Sequence, residues 1–137
     1  MMYKFQTMAI LICATALNII ASDSLVASNG EGEWQLYSQE PNGDVHFYDQ
    51  TRVKSDANLH QVWNRIRYKT SIMGAASYQS LLEIDCVGGT ERILQNTFFS
   101  DKHWEKPAMN TDRSEKPERL IAEDSASERL SAILCDE

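Results

Sequence analysis

The alternation of apolar and polar positions is cleanest from Leu82 to Cys86. Leu82, Ile84 and Cys86 fall on one side of a pleat, and Glu83 and Asp85 on the other. Carried back to Tyr78, the first face also holds Tyr78 and Ser80, while Leu81 joins the second. This period of two predicts a long strand over 78–86 with the Cys86 face covered and the Glu83/Asp85 face wet. Residues 59–68 alternate in the same way. Val62, Ile66 and Tyr68 share one side with Asn64 between them, and Leu59, Trp63, Arg65 and Arg67 share the other. Gly88 and Gly89 turn the chain, and residues 91–100 return as another strand weighted by Ile93, Leu94, Phe98 and Phe99. Upstream, Trp34–Ser38 and Val45–Tyr48 flank Pro41, Asn42 and Gly43, a hairpin signal because Gly tolerates positive φ and Asn favours turns. A short strand is expected over 51–54. Residues 101–117 change character to mixed charge with Trp104 as the sole aromatic, which predicts a surface loop of ~15 residues.

At the C-terminal end the period switches. Ser125 and Glu128 have capping-box spacing, in which hydroxyl and carboxylate satisfy free N–H groups of a first helical turn. Leu130, Ile133 and Leu134 then lie at i, i+3 and i+4 on one helical face. A helix of about 10 residues is marginal alone, so it must dock, and the covered sheet face is where it can.

The N-terminus has a different pattern. Lys4 precedes an apolar run from Met8 to Ile20, and small residues follow from Ala21 to Ser28. That is the order of a secretory signal peptide, expected over 1–27 with cleavage between 21 and 28, leaving one domain over 28–137. The run is shorter than the ~20 residues of a spanning helix, the alternative being a retained membrane anchor. Cys13 lies inside it, preceded by Ile12 and not by the small residue of a lipidation signal. Cys86 and Cys135 remain, and export allows them one intramolecular pairing; the alternative is free or intermolecularly paired thiols. The expected fold is α+β: a curved antiparallel sheet of about five to six strands, with the C-terminal helix packed on one face and tethered by the disulfide.

Composition narrows the function. With 13 basic and 20 acidic residues the formal charge is -7, and no basic stripe offers itself to nucleic acid. His46, His60 and His103 lack metal-ligand spacing, and no cofactor motif, phosphate loop or nucleophile elbow is present. Glu83 and Asp85 stand ~7 Å apart on one strand face, a spacing open to acid/base work. The ordinary reading is a wet face whose carboxylates pair with Arg65 or Arg67 on a neighbouring strand. Trp63, Arg65 and Arg67 on one face, together with Trp104 in the long loop, form the candidate binding set, since Trp and Arg dominate binding hot spots. Sheet packing is the competing role of the same residues.

Several of these features occur in a characteristic order. Trp34 opens the first strand, Tyr48 and Asp49 close the hairpin, and Val62, Trp63, Asn64 and Arg65 follow. Glu83 to Cys86, Arg92 to Leu94, and a final helix ending at Cys135 complete it. Over 34–135 this resembles the surface-adhesin protein E-like family of Gram-negative bacteria. The resemblance implies an antiparallel sheet with a disulfide-tethered helix, exposure at the surface or in the periplasm, and, in adhesive members, binding of host extracellular-matrix proteins. The lipid anchor of the family's type member has no counterpart in the Cys13 region.

Three functions are carried forward. The first is an exported, non-enzymatic domain that binds a protein partner. The second is a periplasmic accessory or stress protein without an adhesive role. The third is a hydrolase using Glu83 and Asp85. An exposed edge strand leaves dimerisation open.

Overall fold

The computed structural model describes residues 32–136; the expected signal peptide lies outside them. Eight strands precede one helix: β1 (Trp34–Gln39), β2 (Val45–Asp49), β3 (Lys54–Asp56), β4 (Leu59–Ile72), β5 (Ala75–Asp85), β6 (Thr90–Phe99), β7 (Ala108–Asp112), β8 (Arg119–Leu120) and α1 (Ala126–Cys135). They form one antiparallel sheet in the order β1-β2-β4-β5-β6-β7, with β3 added to β4 and β8 added to β6. Expected strand pairs fall where the pattern put them, and Gly43 takes φ +93° in the β1–β2 turn.

The strand count corrects the expectation of five to six. The extra strands come from 101–117 and the segment after it. Residues 108–112 pair with 96–99 of β6, and Arg119–Leu120 pair with Thr90 and Glu91. These segments are mostly exposed and carry no alternating apolar signal, so only the unpaired edge of β6 recruits them. The short strand near residue 51 also forms later, at Lys54–Asp56.

The sheet has two unlike faces. On the inner face, Val62, Leu82 and Ile84 meet Leu130 and Leu134 of α1, with Tyr48 at the side. Val62, Ile84 and Leu130 are fully buried. Ser125 caps the helix in extended conformation, its Oγ accepting from Glu128 N at 3.1 Å and donating to the Ala122 carbonyl at 2.6 Å. Arg129 fastens the same end to β1, donating to Ser38 Oγ at 2.7 Å and to Glu40 at 2.5 Å. Cys86, just past β5, is bonded to Cys135 across 49 residues of sequence, with the Cα atoms 5.7 Å apart. The helix is therefore clamped at both ends and covers only part of the inner face.

Candidate functional site

The outer face is built by the odd-numbered positions of β4 and their partners. Cross-strand pairing sets Phe47 opposite Arg65, and Arg65 opposite Gln79. Trp63 is opposite Leu81, and Trp34 is opposite Asp49 at the sheet edge. All three tryptophans of the chain meet arginines here. The Arg65 guanidinium lies 4.1 Å from the Trp34 ring centre and 4.7 Å from that of Trp104. Arg52 lies 5.8 Å from Trp34 and 5.7 Å from Trp63. Arg67 lies 5.2 Å from Phe47 and 5.7 Å from Trp104. The side chains thus alternate as Trp63, Arg52, Trp34, Arg65, Trp104, Arg67 and Phe47. Such cation–π contacts contribute about 0.5–2 kcal/mol each, most where water is excluded.

Local structure explains how each side chain arrives. Trp104 has φ +55°, unusual for a bulky residue. Its loop is held by Asp101, whose carboxylate accepts N–H groups from His103, Glu105 and Lys106 at 3.2, 2.9 and 3.3 Å. Burial opposes ionisation of Asp101, but these three donors outweigh it and hold its pKa below the usual carboxylate range. The indole Nε1 donates to the Tyr78 carbonyl at 3.1 Å, which pins the ring over the sheet. Arg52 comes from the loop after β2 and pairs with the fully buried Asp49, which also accepts Thr51 N at 3.0 Å and Thr51 Oγ1 at 2.7 Å. Gly32 passes against that carboxylate so closely that a Cβ would collide with it.

The electrostatics of the face are lopsided. Arg65 is 5 % exposed and has no carboxylate within ion-pair distance among the described residues; its Nε donates to Gln79 Oε1 at 2.8 Å. Burial, and next the Arg52 charge, push its pKa down to about 10, against the pull of Asp49. It remains a cation at neutral pH, held chiefly by ring faces. An acidic chain therefore carries a local positive, aromatic-framed patch.

Of the sequence-derived binding set, the structure brings Trp63, Arg65, Arg67 and Trp104 into this one array. Arg65 and Trp104 are buried within it, and Trp63 and Arg67 are partly exposed. Trp34, Phe47 and Arg52 complete it. Their positions depend on strand pairing and on a loop, which the alternation pattern does not record. Glu83 and Asp85 are placed differently from expectation. Arg65 and Arg67 lie toward the other end of β4, so Glu83 pairs with Arg92 at 3.1 Å and accepts Gln61 Nε2 at 3.1 Å. Asp85 accepts Val87 N and Gly88 N at 3.0 and 2.9 Å, closing the turn after β5. Among the described residues no cluster of His, Cys, Asp and Glu could hold a metal, and no helix is long and apolar enough to cross a membrane.

A single antiparallel sheet carries a disulfide-clamped helix on one face and a Trp–Arg array on the other. The profile of the surface-adhesin protein E family matches residues 34–136, and the chain belongs to that family. It is accordingly a surface adhesin-like protein. Two solved structures of Haemophilus influenzae protein E share the fold at 10% identity. One aligns with a TM-score of 0.59 over 75% of this chain and 83% of its own; a second crystal form gives 0.58 over 75% and 87%. No sequence among curated proteins matches the chain.

Proposed function

We propose that this chain is an exported, non-enzymatic domain that binds a protein partner, of the host extracellular-matrix type, through the outer sheet face. The observation that carries the reading is the alternation of Trp63, Arg52, Trp34, Arg65, Trp104, Arg67 and Phe47. Arg and Trp are the residues most enriched in binding hot spots, because each buries a large flat surface and keeps a polar handle. The array divides the labour. Arg65 and Trp104 are buried and hold it rigid, while Arg52, Arg67 and Trp63 are available to a partner. Rigid presentation lowers the entropy lost on binding. Family membership supports the reading.

The test immobilises the full chain and passes matrix glycoproteins over wild type, Trp63→Ala and Arg67→Glu. The expected result is saturable binding to at least one of them, reduced at least tenfold by each variant and weakened by salt. Binding to none of them, or variants that bind like wild type, defeats the proposal. Protease shaving of intact cells separates the periplasmic accessory role, in which the chain is protected until the envelope is opened.

A further inference from the structure

The inner face carries a second feature, on the opposite side of the sheet from the Trp–Arg array. Beneath the helix its rows are aliphatic. One row further along, Asn64, Ser80 and Asn96 stand opposite one another on β4, β5 and β6. They are 3 %, 0 % and 8 % exposed. Buried polar side chains at sheet-core positions need partners, and Asn64 Nδ2 finds Ser80 Oγ at 3.4 Å. Above this row, where α1 begins, lies a cavity of about 350 Å³.

The lining comes from six strands and the helix. Tyr37 of β1 points inward, and its hydroxyl donates to Asn64 Oδ1 at 2.6 Å. Tyr68 and Tyr78 form further aromatic walls, His46 stands on β2, and Ser127 closes the helix side. From β8, Arg119 lines the cavity and donates to Glu91 Oε1 at 3.0 Å. Glu91 is 5 % exposed, and its Oε2 is a buried acceptor with no partner among the described residues. It stands on β6 opposite Ile84, outside the lining, and neutralises Arg119 at that end of the cavity.

Charge decides the class of ligand. Glu91 pairs Arg119, the fixed charge of the lining, so an organic cation meets the guanidinium and an anion must compete with the existing pair, each at a cost in a partly dry site. Hydroxyl, amide and imidazole groups offer both donors and acceptors, and the tyrosines offer flat apolar faces. We propose that this cavity is a binding site for a neutral polyhydroxyl ligand of monosaccharide size. Its ring lies against the tyrosines, and its hydroxyls meet Asn64, Ser80 and Ser127. The volume is at the lower end of the range for small-molecule sites, roughly 300–1,000 Å³.

The test titrates the isotopically labelled full chain with glucose, galactose and N-acetylglucosamine, and separately with choline and inorganic phosphate, following amide shifts. The expected result is a saturable shift with at least one sugar, centred on Asn64, Ser80 and Ala126. Tyr37→Phe and Ser80→Ala should each weaken it at least tenfold. Ser127→Phe adds bulk at the rim, removes no hydrogen bond of the sheet, and should abolish it even if the other two variants fold poorly. Three outcomes overturn the proposal: no saturable shift with any of the sugars, as for a cavity that holds only water; tighter binding of choline or phosphate; or sugar shifts centred on Trp34, Trp63 and Trp104. The first two leave protein binding by the outer face untouched, so the two proposals fail separately.

Discussion

At the scale of single residues, Arg65 carries the most consequence per atom. It is a buried guanidinium between Trp34 and Trp104, without a carboxylate partner among the described residues. Its charge is stabilised by ring faces and by one hydrogen bond to Gln79. Lysine preserves the charge but lacks the plane that fits between two rings. Arg65→Lys is therefore expected to destabilise the domain by about 1–2 kcal/mol, and Arg65→Ala by about 2–4 kcal/mol as two stacking contacts and the packing of the stem are lost. Urea unfolding followed by circular dichroism measures both. Tryptophan emission should shift to the red in the folded variants, because the Trp34 and Trp104 rings lose their cover. An Arg65→Ala protein with unchanged stability and emission contradicts this account of the array. Ser38 is the contrasting residue. Strict alternation from Trp34 puts it on the outer face, but the bulge between Leu36 and Ser38 resets the period, so Ser38 stands opposite His46 and receives Arg129 of the helix.

At the scale of elements, α1 depends on three separate devices. Leu130 and Leu134 are buried against the sheet, Ser125 caps the first turn, and the disulfide holds the last. Leu130→Ala should cost about 2–5 kcal/mol through the cavity it leaves. Cys135→Ser should cost about 2–4 kcal/mol, mainly by freeing a long loop in the unfolded chain. Ser125→Ala should cost about 1 kcal/mol. The order of these three, read from denaturant midpoints, is the check: a cap variant as damaging as the Leu130 variant would mean the helix is held by its end and not by its face. This element was legible in the sequence, since capping box, apolar spacing and the second cysteine all lie within eleven residues, 125–135. Strands β7 and β8 were not. Their residues are polar and exposed, and their order comes from the hydrogen-bonding edge of β6, which no local pattern records.

For the whole molecule, acidification should act in two windows. His46 borders the inner cavity, and burial first, then Arg129, lowers its pKa from 6.5 against the opposing pull of Glu40 and Asp44. The unfolded chain therefore binds this proton more readily than the folded one. Its contribution is present above pH 6.5 and is lost as pH falls below that value. A second window opens below the ordinary carboxylate values of 4.5 and 3.8. Glu40, bonded first by Ser38 and then by Arg129, is held low there. Asp49 and Asp101 are held low too, where donors outweigh burial. Stability thus falls with pH in both windows. Unfolding midpoints from pH 8 to 3 should show two declines, and His46→Gln should remove only the upper one; a wild-type curve flat from pH 7 to 5 would refute the first.

What the sequence determined by itself is whatever short-range physics controls. The period of two set which residues of β4 and β5 share a face, the turn residues set the hairpins, and the period of 3.6 with its cap set the helix. Cys86 and Cys135, the two cysteines outside the apolar N-terminal run, offered one pairing. Tertiary structure alone decided how far the helix extends over the sheet, which leaves the Asn64, Ser80 and Asn96 row outside its apolar cover. It also decided that Trp34, Arg52 and Trp104, from three distant parts of the chain, close around Arg65. The reason is physical: periodicity assigns a side chain to a face, but register and loop path assign it to a neighbour, and binding depends on neighbours.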